Sequence, residues 1–174
     1  DGTYSLKTDE PSPVIFVTVP DGYVLDPDRF WRRVRFTDPQ TVARADFALR
    51  SRPKADKFVF IQISDSHHAA GTHSVEDIAR FIQDVRTMKP APAFVIATGD
   101  LAMGVDHLED PTKAPPMYQG FVDVFKPLPC PLLKAIGNHE CAVSLPKGAP
   151  GRHKETYRKF FGPVNYSFDY GKVH

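Results

Sequence analysis

Between residues 58 and 140 the chain repeats one pattern three times: a short apolar run stops abruptly at a small polar cluster. FVFIQI (Phe58 to Ile63) runs into Asp65-Ser66-His67-His68, FVIA (Phe94 to Ala97) into Thr98-Gly99-Asp100, and LLKAI (Leu132 to Ile136) into Gly137-Asn138-His139-Glu140. Between the first two runs, Val75, Ile78, Phe81, Ile82 and Val85 recur at helical spacing. Ser74 with Asp77 resembles a capping box at the start of that helix, and Pro90 and Pro92 stop it. A second helix is expected near Tyr118 to Phe125. Strand, helix, strand, helix, strand implies an α/β fold with parallel pairing and right-handed crossovers, which brings all three run ends to one edge of one sheet. Open sheets of this kind bind ligands just beyond the carboxyl ends of their strands.

Each polar cluster alone is an ordinary turn, because glycine, aspartate, asparagine and serine are the usual turn residues. Three on one edge are harder to dismiss. Neighbouring strand ends lie about 5 Å apart, so Asp65, His67, Asp100, Asn138 and His139 fall within one small site. Oxygen ligands mixed with imidazole suit manganese, iron, zinc or magnesium better than a thiolate-seeking metal. A carboxylate on the middle strand could bridge two ions about 3.5 to 4 Å apart, an arrangement that clamps the attacking and leaving oxygens of a phosphoryl displacement.

In order and spacing, Asp65-Ser66-His67, Gly99-Asp100 and Gly137-Asn138-His139-Glu140 resemble the first three motifs of the calcineurin-like metallophosphoesterases, D-x-H, G-D and G-N-H-[DE]. The resemblance implies the front part of a two-sheet α/β/β/α sandwich that hydrolyses a phosphomonoester or phosphodiester with two divalent ions. Manganese, iron or zinc are the ions it favours, with magnesium as a further candidate. By that likeness Asp65 and His67 hold the first metal, Asp100 bridges both, and Asn138 holds the second. Asn138 and His139 meet the substrate, and His139 is the catalytic group that protonates the leaving oxygen. Glu140 orients its loop.

The chain departs from the family pattern in two places. Many members carry an acidic or amide residue three positions after the bridging aspartate, where it orients the histidine; here that position is Met103, and Asp106 lies too far along to be taken as its equivalent. His139 is therefore expected to be a weaker acid–base group, and Met103 a core side chain. Further on, nothing after Glu140 resembles the lone histidine and G-H-x-H pair that complete the family's metal ligands. The expected partners are thus a phosphate ester and the remaining half of the domain, in a longer chain or a separate polypeptide.

Residues 1–56 read as β, and 57–174 as the first part of the phosphoesterase domain. DGTYSL, VIFVTVPDGY and ARADFAL resemble later strands of a carboxypeptidase-regulatory-like β-sandwich, which implies a small antiparallel domain with a turn at Asp1-Gly2 and strands at Thr3 to Leu6, Val14 to Val19 and Ala45 to Leu49. SRPKADK (Ser51 to Lys57) is a plausible boundary. Both ends look cut, since the sandwich ordinarily has strands before DGTYSL and NYSFDYGKVH leads into a mid-domain strand.

A net charge of +1 gives no signal for nucleic acid, and no apolar run approaches the ~18 residues of a membrane span. Two cysteines, Cys130 and Cys141, leave the redox compartment open. The regulatory-like resemblance favours a periplasmic or secreted bacterial protein. Two rivals follow from the departures: a phosphoesterase fold that binds without catalysis, and a structural fragment whose β-sandwich mediates surface attachment.

Overall fold

The computed structural model describes residues 2–10, 12–36, 42–69 and 71–174. Three parallel strands form its central sheet in the order β3-β4-β5: β3 (Ile61–Ile63), β4 (Val95–Ala97) and β5 (Leu132–Lys134). Ile61 pairs with Val95 and Val95 with Leu132, so the three strands are in step and their carboxyl ends lie side by side. The strands are shorter than the apolar runs that encode them.

The parallel register fixes which side chains share a face. Ile63, Ala97 and Leu132 turn toward α1 (Ser74–Thr87), α2 (Ala114–Phe125) and α3 (Glu155–Phe161), where Ile78, Ile82, Phe121, Phe125, Tyr157 and Phe161 are buried. Phe94, Ile96 and Leu133 turn the other way, onto Val19, Leu25 and Phe30 from the front of the chain and onto Tyr166, Phe168 and Tyr170 from its last residues. Both faces are therefore covered, as a parallel sheet requires. Burying one side chain such as Phe121, which is fully enclosed, contributes about 1.5–3 kcal/mol.

Several details differ from the sequence expectation. The helix at Ser74 begins without a side-chain cap: its N-cap is His73, and the Ser74 hydroxyl turns back toward Thr72 and Ala69 instead of down the helix. Val75, expected on the buried stripe, is exposed, because the first turn extends past the sheet while Ile78, Ile82 and Val85 lie against the core. α3 had no counterpart in the sequence reading.

The front of the chain departs further. Its only ladder among the described residues is an antiparallel pair, β1 (Val14–Phe16) with β2 (Trp31–Arg33), and β2 was not foreseen. Ala45, Phe47 and Leu49 keep the expected alternation of burial, yet neither they nor Thr3 to Leu6 join a strand. The turn expected at Asp1-Gly2 includes residue 1, which lies outside the described residues. Beyond β1, Val19 pairs with Phe168, and the Asp169 amide donates to the Val19 carbonyl at 2.8 Å. The front segment is thus stitched to the far end of the chain. Cys130 and Cys141 are free thiols. No helix among the described residues is long and apolar enough to cross a membrane.

Candidate metal centre

Past the strand ends the backbone stays paired although regular strand geometry has stopped. The Asp65 amide donates to the Gly99 carbonyl at 3.3 Å, His67 to Asp100 at 2.9 Å and His68 to Leu101 at 2.9 Å. Asp65, His67 and Asp100 adopt the left-handed conformation, at φ 56°, 41° and 52°, which lets each side chain turn back over the sheet edge. The loop after β4 is pressed against the loop after β5, and here two glycines are obligatory. A Cβ on Gly99 would lie 2.7 Å from the Gly137 Cα, and a Cβ on Gly137 would lie 2.2 Å from Asp100 Oδ1.

That close approach lets the two loops exchange hydrogen bonds. The His139 amide donates to Asp100 Oδ1 at 3.1 Å, leaving Oδ2 facing His67 Nε2 at 3.6 Å. The Glu140 carboxylate is fully buried and accepts from four backbone amides: Leu101 and Ala102 on Oε1 at 2.7 and 3.1 Å, and Asp100 and Gly137 on Oε2 at 2.9 and 2.8 Å. Burial holds this carboxyl above the usual carboxylate range, against the downward pull of the four amides. Since every contact is an N–H donor, a proton on the carboxyl would meet another donor, so this pocket is built for the ionised form.

His67, Asp100 and His139 each offer a ligand atom, all within 4.8 Å of one another, and the two imidazoles meet edge to face with centroids 4.8 Å apart. His67 Nε2 is buried without a hydrogen-bond partner. A buried imidazole nitrogen left unpaired costs free energy unless something else completes it. With carboxylate oxygens nearby, Asp65 Oδ1 at 3.8 Å and Asp100 Oδ2 at 3.6 Å, the donor set is one that could hold a metal ion. The residues present therefore fit a divalent ion. Asp65 is 63% exposed and Asn138 is likewise open to solvent, so both stand at the outer rim of the cluster.

A match to the calcineurin-like phosphoesterase family model covers residues 58–173. The chain belongs to the calcineurin-like phosphoesterase family. A comparison with curated proteins finds no match. The matched stretch begins at the first strand run and contains all three polar clusters. A carboxypeptidase-regulatory-like sandwich ahead of it has no corresponding match.

One expectation of the sequence reading is overturned by the loop after Asp100. Met103 is not a core side chain but 40% exposed, and the carboxylate that lies beside His139 is that of Asp106. Gly104, at φ 90°, reverses the chain into a single 3-10 turn, Val105–His107, which carries Asp106 under the site with its side chain only 11% exposed. Its Oδ1 lies 3.1 Å from His139 Nδ1; the distance is that of an ion pair, while the angle falls short of a hydrogen bond. The Asp106 carboxylate, foremost through its pairing with the ring, raises the His139 pKa above that of an ordinary histidine. His139 is therefore the more basic group, not the weaker one. Linear spacing misled because the loop spends its extra residues on a buried turn, with Leu101, Ala102 and Val105 all fully enclosed.

Proposed function

We propose that this chain carries the first part of a dinuclear phosphoesterase centre that hydrolyses a phosphomonoester or phosphodiester. The observation that carries the reading is the unpaired, buried His67 Nε2 facing Asp100, with His139 in the same cluster, at the carboxyl edge of a parallel sheet. Asp65, His67, Asp100 and Asn138 would hold the ions, Asp100 being the shared carboxylate. When bound, divalent ions polarise phosphoryl oxygens and lower the pKa of water.

The remaining chemistry belongs to the chain's own side chains. Asp106 Oδ1 lies 3.1 Å from His139 Nδ1 as an ion-pair contact, so Nε2 is the nitrogen that would give a proton to the departing oxygen. Asp106 keeps the ring protonated to higher pH, which suits an acid acting on an alkoxide. Asn138, exposed and adjacent in sequence, would meet the substrate's phosphoryl oxygens. The rim position of Asp65 and Asn138 supports completion of the ligand set by residues supplied from beyond this sequence. A fold that binds metal without turnover drew support from Met103 and from the missing later histidines; the Asp106 carboxylate beside His139 answers the first of these and leaves the second.

Manganese titration by calorimetry, with release of nitrophenol from mono- and bis-nitrophenyl phosphate by the reading frame that carries this chain, tests the proposal. Metal-dependent hydrolysis is expected, together with its loss in Asp100→Asn. Full turnover in that variant would overturn the bridging assignment, and a chain that binds no divalent ion would overturn the reading as a whole.

A further inference from the structure

Glu140 does more than shape the loop on which it sits. Its two carboxylate oxygens divide between loops: Oε1 takes Leu101 and Ala102, whereas Oε2 spans Asp100 on one loop and Gly137 on the other. Directly above, the His139 amide closes the same gap in the opposite sense by donating to Asp100 Oδ1. The loop that supplies the shared carboxylate and the loop that supplies Asn138 and His139 are thus cross-linked twice, once through a side chain from each.

We infer that Glu140 is a positioning residue that couples these two loops into one rigid unit, so that the orientation of Asp100 toward a metal and the placement of His139 toward the substrate are set together. The inference rests on the metal-centre reading above. Three facts argue for coupling over simple space filling. All four acceptor contacts are between 2.7 and 3.1 Å. The Asp100 backbone is left-handed, a conformation that persists only when its surroundings over-determine it. The two loops approach so closely that a Cβ at Gly137 would lie 2.2 Å from Asp100 Oδ1.

The geometry also makes the chemistry specific to a carboxylate. In Glu140→Gln the shape is kept, but one oxygen becomes an NH2 group that faces backbone donors, so one pair of amides loses its acceptor. Removal of an outer partner that orients a metal ligand typically lowers metal affinity 10- to 100-fold, and a loss in that range, about 10- to 100-fold for manganese, is expected here. Phe125→Leu, a core change at a residue 4% exposed and away from these loops, serves as the stability control.

The test combines manganese calorimetry on Glu140→Gln and Phe125→Leu with amide hydrogen exchange on the unmodified chain. Coupling predicts weakened binding in the first variant only, and Asp100, Leu101, Ala102 and Gly137 amides that open together at one rate. Unchanged manganese affinity in Glu140→Gln, an equal loss in Phe125→Leu, or a Gly137 amide that exchanges independently of Leu101 and Ala102 would each overturn the inference. The exchange measurement stands even where the glutamine variant does not fold. It also separates the two claims: a chain that binds no manganese sinks the metal-centre reading, while exchange still decides whether Glu140 ties the loops together.

Discussion

The two faces of the central sheet are built in different ways. On the helical face, Ile78, Ile82, Phe121, Phe125, Tyr157 and Phe161 come from three helices, each with its own amphipathic repeat, and neighbours in the core are often neighbours in sequence. The opposite face is assembled from segments more than a hundred residues apart. Phe94 meets Phe168 at 5.4 Å and Tyr170 at 5.2 Å, both edge to face, and the Arg52 guanidinium lies 3.6 Å over the Tyr170 ring while pairing with Asp21 at 3.1 Å. Non-local contacts of this kind close large loops before they are rewarded, so this face carries the larger loop-closure cost. The contrast teaches that equal burial does not imply equal autonomy: the helical face can be made by residues 58 onward, whereas its counterpart needs residues 17–31 as well.

The most severe way to break this comparison is truncation on each side. Phe121→Ala should cost about 3–5 kcal/mol in urea unfolding, the usual range for a buried aromatic. If the far face is an equal core, Phe94→Ala at 3% exposure costs a similar amount; a loss below about 1 kcal/mol would show the front segment to be an appendage. A smaller effect is expected where the two faces meet at the sheet edge. Asp106→Asn should lower turnover of nitrophenyl phosphate by about 10²-fold, at the low end of what a positioned acid–base group contributes, with binding little changed.

The same variant has a spectroscopic signature. NMR titration should place His139 above the ordinary histidine range in the unmodified chain and return it toward that range in Asp106→Asn. Because the folded-state pKa is the raised one, the stabilisation from this pairing is complete below the unfolded-state value of about 6.5 and disappears as pH rises through the folded value. An identical titration in both proteins would remove Asp106 from its role. At the bottom of the scale, Met103→Ala should alter stability and turnover negligibly, within about 0.5 kcal/mol, as befits an exposed side chain. A large effect there would restore Met103 as a site residue.

The parallel sheet and the convergence of its strand ends were legible because both rest on local repeats: apolar runs, helical spacing, and turn residues in a fixed order. That topology led to one site for Asp65, His67, Asp100, Asn138 and His139, of which His67, Asp100 and His139 offer ligand atoms within 4.8 Å of one another. Asp106 did not follow from it, since a glycine at φ 90° and a buried single turn alter the path without altering the apolar pattern. The signal that could have found it is Gly104 followed by Val105-Asp106, a reversal that returns a carboxylate to the sheet edge. Two strands expected in the front segment, Thr3 to Leu6 and Ala45 to Leu49, do not form, for the opposite reason. Its alternation is real, but alternating burial records only which side chains touch something, and here Ala45, Phe47 and Leu49 do so without a neighbouring strand.

The left-handed backbone at Asp65, His67 and Asp100 has a consequence for how such a site can decay by mutation. Outside glycine, that conformation is most readily tolerated by asparagine, aspartate and histidine, and other side chains add roughly 1–2 kcal/mol. Under the proposed function the three positions would be under two separate pressures that ask for the same short list of residue types, one from ligation and one from the bend of the chain. A descendant that no longer used metal would still be steered toward asparagine there, and would keep the outline of the centre after losing its charge. Asparagine is, by the same reasoning, the substitution that removes a carboxylate's charge and leaves the backbone undisturbed.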